Sequence, residues 1–125
     1  MTHTATVDIG ADKEVFAGED KTITFTVRDD ADVVVNVSSW TFLWELRLTR
    51  HNPNVILQKT SSPPSGITFA TDGTDGKVRV ALTSSETKNL KAGTYFHGLA
   101  RTNGGAFDVN GEGEFVLRKA AVHAP

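Results

Sequence analysis

Leu90-Lys91-Ala92-Gly93-Thr94-Tyr95, followed by the alternating run Phe96-His97-Gly98-Leu99-Ala100-Arg101, constrains the fold of this chain more than any other stretch. A short turn ends in glycine and delivers a tyrosine at the start of a strand. That is the sequence form of a tyrosine corner, in which the ring packs in the core of a β-sandwich and its hydroxyl bonds upstream backbone. The corner marks where the chain crosses from one sheet to the other.

The rest of the chain repeats a two-residue period, the signature of half-buried antiparallel strands. Thr22-Ile23-Thr24-Phe25-Thr26-Val27-Arg28 alternates without an error, and Trp40, Phe42, Trp44, Leu46 and Leu48 take every second position. Val55-Ile56-Leu57-Gln58-Lys59 is a short strand after the Asn52-Pro53-Asn54 turn. Ile67 with Phe69, then Val78 with Val80 and Leu82, flank Asp72-Gly73-Thr74-Asp75-Gly76. Phe107 with Val109, and Phe115 with Leu117, stand on either side of Asn110-Gly111, which predicts a hairpin turn there. Ser61-Ser62-Pro63-Pro64-Ser65-Gly66 reads as a loop. One helical signal interrupts the pattern. Thr83-Ser84-Ser85-Glu86 is a capping box, predicting a helix over 84–90 that ends before Gly93. About seven to nine short strands at this spacing predict an all-β antiparallel sandwich or barrel.

Length and charge narrow the function classes. The 125 residues suit one domain, 1–125, with a core over 7–118 and flexible tails at 1–4 and 119–125. Thirteen Lys and Arg against fifteen Asp and Glu give a net charge of −2, so no electrostatic pull draws the chain to nucleic acid or an anionic membrane. There is no cysteine, which excludes disulfides and thiolate chemistry. Met1 to Asp8 has neither a basic head nor an apolar stretch, so the expectation is a soluble protein made without a secretion signal.

Residues that suggest chemistry have plainer explanations. His3, His51, His97 and His123 form no pair at metal-ligand spacing. His97 shares the inward parity of Tyr95 and Leu99, which predicts a buried neutral imidazole with a backbone partner. Asp29-Asp30-Ala31-Asp32 and Asp72-Gly73-Thr74-Asp75-Gly76 lack the spaced bidentate Glu of a calcium loop, and Asp and Gly suit turn backbone. Ser84 and Ser85 sit at a helix cap without nucleophile-elbow glycines. Glu112 and Glu114 share a parity but have no visible substrate cleft. Gly104-Gly105 and Gly111 to Gly113 read as hairpin glycines, with no helix following to make a phosphate site. The expectation is therefore no enzyme, no cofactor and no metal.

The order of these segments resembles the small immunoglobulin-like β-sandwich proteins of tailed bacteriophages, including the N-terminal domain of upper baseplate proteins. The residues that carry the likeness are Gly18 to Asp29, Val37 to Arg47, Gly76 to Thr83, Leu90 to Tyr95 and Gly111 to Leu117, spanning about 7 to 118. Where that family usually has a glycine in the first loop, this chain has Ala31-Asp32. The resemblance implies an immunoglobulin-like fold and a structural virion role, in a tail, baseplate or fibre attachment. It implies multiple copies in contact with other virion proteins, assembly in the host cytoplasm, and no active site. A capsid decoration protein, a carbohydrate-binding or adhesion module and a small hydrolase are the alternatives. The last two would want exposed aromatics in a groove and a nucleophile–base pair respectively.

The expected core is Phe25, Val27, Trp40, Phe42, Trp44, Val80, Leu82, Tyr95, Leu99 and Leu117, with the Trp40–Leu48 strand central. Strands 40–49 and 94–101 are expected to be sheet neighbours. Their outward residues Leu43 and Phe96, with Gly98 and Ala100 beside them, make the candidate interface.

Overall fold

The period-two pattern becomes burial that alternates residue by residue. The computed structural model describes residues 4–8, 15–16, 18–29, 31–49, 52–61, 64–103 and 108–118, with 4–8, 15–16, 64, 108–110 and 112 as backbone only. In chain order the elements are β1 (Thr4–Asp8), β2 (Val15–Phe16), β3 (Lys21–Arg28), β4 (Phe42–Arg47) and β5 (Val55–Ser61). Then come β6 (Pro64–Ser65), β7 (Ile67–Phe69), β8 (Lys77–Leu82), α1 (Ser84–Lys88), β9 (Gly93–Arg101) and β10 (Asp108–Arg118). Seven of these strands have five residues or more. They form two sheets, ordered β1-β3-β8-β7 and β2-β10-β9-β4-β5-β6. Every strand pair is antiparallel except β2 with β10. The chain is a two-sheet β-sandwich.

The core lies between the sheets. Ile23, Phe25 and Val27 of β3 and Val78, Val80 and Leu82 of β8 face Phe42, Trp44 and Leu46 of β4, Tyr95 and Leu99 of β9, and Phe115 and Leu117 of β10. All ten expected core residues are buried. Burying each large apolar side chain contributes about 1.5–3 kcal/mol, which is what drives the sheets together. Strand β4 sits between β9 and β5, as its double-sided alternation requires, and pairs with β9 through Leu43↔Ala100, Glu45↔Gly98 and Arg47↔Phe96.

Several expectations need correction. Asn110-Gly111 does not turn the chain. Strand β10 runs through it, with only a register irregularity between Val109 and Gly111. The nine residues of β9 offer a continuous partner from Arg101 to Gly93, and that pairing overrides the local turn preference. Thr4 is no tail residue, because β1 pairs with β3 from Thr4↔Arg28 to Asp8↔Thr24. The expected tail 119–125, and His3, His51, Phe107, His123, Gly104 and Gly105, lie outside the described residues. The helix is shorter than 84–90. Asn89 caps it, and the Leu90 N–H turns back to the Thr87 carbonyl. The expected loop 61–66 carries Ser61 as the last residue of β5 and Pro64–Ser65 as β6. Leu48 lies past the end of β4 and is 55% exposed, whereas Trp40 lies before its start and is buried.

The turn with Ala31-Asp32 forms without a glycine. Asp32 itself takes the left-handed conformation, at φ 62°. Asp29 holds the loop, its Oδ1 accepting the Ala31 N–H at 2.9 Å and the Val33 N–H at 3.0 Å. Gly76 is required where it stands. Its φ is +73°, and a Cβ there would lie 2.9 Å from the carbonyl oxygens of both Val27 and Val35.

Candidate functional site

The tyrosine corner is present in full. Tyr95 is buried and its hydroxyl donates to the Lys91 carbonyl at 2.5 Å, tying the start of β9 to the turn after α1. The helix is fixed from the other side. Thr87 Oγ1 donates to the Glu19 carbonyl and accepts the Gly18 N–H, and the Ser84 N–H donates to Asp20 Oδ1. Glu86 completes the capping box and accepts from Lys59 Nζ at 2.5 Å, although Lys59 comes from the inward face of β5 and is almost wholly buried. Burial alone would raise the Glu86 carboxyl. The bonds from Lys59 and Thr83 outweigh it and hold the group below its ordinary value.

His97 is buried at the centre of the sandwich, but its partner is not backbone. The Trp44 indole N–H donates to His97 Nδ1 at 3.1 Å. Nδ1 is thereby an acceptor, so the neutral ring carries its proton on Nε2. Phe25, Trp44 and Phe115 surround the imidazole, with ring centres 5.7–5.9 Å away. Desolvation in that aromatic box pushes its pKa down to about 4. Its Nδ1 satisfies the buried indole N–H of Trp44.

Leu43, Phe96, Gly98 and Ala100 share the outward face of the larger sheet, as their parity requires. Leu43, Phe96 and Gly98 are half-buried, and Ala100 is buried. Leu43 lies beside Ala100, and Phe96 beside Arg47 and Glu114. Between the two large apolar residues runs a polar strip. Arg47 Nη2 donates to Glu45 Oε1 at 2.8 Å, Gln58 Nε2 donates to Glu45 Oε2, and Arg47 Nη1 donates to the Asn52 carbonyl. The face thus offers two apolar points flanking a fixed ion pair.

The acidic loops use their carboxylates on themselves. Asp72 Oδ1 accepts from the Thr74 hydroxyl and N–H, bonds that lower its pKa, and Asp75 Oδ1 accepts the Lys77 N–H. Among the described residues no three His, Cys, Asp or Glu side chains stand close enough to hold a metal ion. No helix there is long and apolar enough to cross a membrane.

A pocket of about 320 Å³ that sequence pattern does not reveal opens at one corner of the sandwich, lined by Trp40, Thr41, Ser61, Ile67, Thr68 and Phe69. Its walls come from the segment before β4, the end of β5 and the strand β7, residues that no single periodic pattern joins. The segment before β4 is held rigidly there. Asn103 Oδ1 accepts the Thr41 N–H, Asn103 Nδ2 donates to the Ser39 carbonyl, and the Arg101 guanidinium lies 4.1 Å over the Trp40 ring. No protein-family model matches the chain, and no curated protein matches it.

Proposed function

We propose that this chain is a non-enzymatic structural protein of a tailed-phage virion, a tail, baseplate or fibre-attachment component that acts through protein–protein contacts. The supporting observation is the strand order taken together with the tyrosine corner. The smaller sheet, β1-β3-β8-β7, follows the A-B-E-D order of an immunoglobulin sandwich, and β10-β9-β4 follows G-F-C, with β5 next to C. Tyr95 then stands near the start of strand F, and Trp44 is the buried tryptophan of strand C. His97, two residues after the tyrosine, takes the place of the strand F cysteine and packs its ring on Phe25 of strand B. An aromatic contact substitutes for the inter-sheet disulfide, which suits a protein assembled in a reducing cytoplasm. The strand order and the corner support the immunoglobulin-like part of this reading, and the virion role is carried from the resemblance of the segment order to phage sandwich proteins.

The test is negative-stain microscopy of phage particles from the host that carries this gene, labelled with an antibody raised against the purified chain. Label at the tail tip or fibres is the expected result. Label over the capsid would select the decoration protein instead, and purified particles lacking the chain would overturn a structural role.

A further inference from the structure

We propose that the corner pocket between β4, β5 and β7 receives an aromatic side chain of a partner protein, its ring resting on Trp40, Ile67 and Phe69. The inference deepens the assembly reading above, and rests on it, by naming where a partner would be gripped and by what chemistry.

The pocket reaches the core, because Trp40 and Ile67 in its lining are 9% and 3% exposed. An apolar cavity of about 150 Å³ accepts benzene, so about 320 Å³ leaves room for an indole or phenol ring. Among the described residues that line it no side chain is charged, which fits a neutral occupant. The polar rim is limited to Thr41, Ser61 and Thr68. Thr41 Oγ1 and Thr102 Oγ1 bond each other at 2.7 Å. Ser61 Oγ accepts the Phe42 N–H at 2.7 Å, which leaves its hydrogen to donate to one polar atom of the occupant. A sugar would ask for several such partners and an open aromatic face, while one face of Trp40 is covered by Arg101. Aromatic anchors set in preformed pockets carry much of the energy of protein interfaces.

The experiment is a titration of the isotope-labelled chain with N-acetyl-tryptophanamide, followed by NMR. The expected result is saturable shifts of the Ile67 and Thr68 methyl signals with a millimolar midpoint, the range open to a small ring without its protein, and nuclear Overhauser contacts between ring and methyls. Phe69→Ala should weaken binding tenfold or more. Because that change also removes packing, the contacts seen in the unaltered protein decide the matter. Three results would overturn the proposal: no saturable shift at these methyls, binding of free indole but not of the blocked amino acid, or binding of methyl glucoside in their place. None of these touches the microscopy test of a virion role, so the two readings fail separately.

Discussion

Tyr95 and His97 sit two residues apart on one strand and show how differently a buried polar group can be satisfied. The Tyr95 hydroxyl reaches a backbone carbonyl in its own turn, so its loss leaves the Lys91 carbonyl short of a donor. Tyr95→Phe should cost about 1 kcal/mol, read as a lower denaturation midpoint at constant slope, and an unchanged midpoint would show that the bond contributes nothing. His97 depends on proton balance. Its pKa is about 4 in the folded chain against 6.5 for the free group, so between those values the unfolded chain binds more protons. Stability is then full above about pH 6.5, falls as the pH drops towards 4, and loses roughly 3 kcal/mol at this site, at about 1.4 kcal/mol per pKa unit. Denaturation followed through tryptophan fluorescence should show that decline in the unaltered protein and its loss in His97→Gln. An equal decline in both would assign it to other groups.

Among the elements, β3, β4 and β8 are legible because each buries one face and alternates strictly, and β9 because it alternates from Tyr95 to Leu99. The β10 segment departs from its local signal, because Asn110-Gly111 favours a turn and only pairing with the preceding strand β9 decides against it. Strand β1 was missed for a related reason. Thr4-Ala5-Thr6-Val7-Asp8 is largely polar and holds to the sheet through the backbone of β3. The outward face of Leu43 and Phe96 could be read from parity, but the Glu45–Arg47 ion pair dividing it depends on side-chain reach. Helix α1 depends on Glu86, which joins its cap to β5. Glu86→Gln leaves Lys59 buried without its anion and should cost about 2 kcal/mol or more. Lys59→Met in the same chain should restore part of that loss, and a double variant no better than the single one would rule out the coupling. The acidic turns close on their own carboxylates, so calcium or EDTA should leave the melting temperature unchanged. A calcium-dependent rise abolished by Asp72→Ala or Asp29→Ala would overturn that reading.

On the scale of the whole molecule, contact surface is what remains to interpret once the core is filled. If the outward face of the larger sheet is an assembly interface, Leu43→Asp with Phe96→Asp should fold normally, both side chains being only half-buried, yet fail to enter particles. Normal incorporation would move the interface to the sheet edges or to the corner pocket. The parallel pairing of β2 with β10, through Leu117↔Val15, has a further consequence. Strand β2 must wait for the much later β10 before its backbone is paired, and β1 waits for β3 on the opposite sheet. Loop closure of that length is slow, so the edges stay open while the segment between β2 and β10 is being made. The edge that β2 will cover stays open to premature association until Arg118 is clear of the exit tunnel.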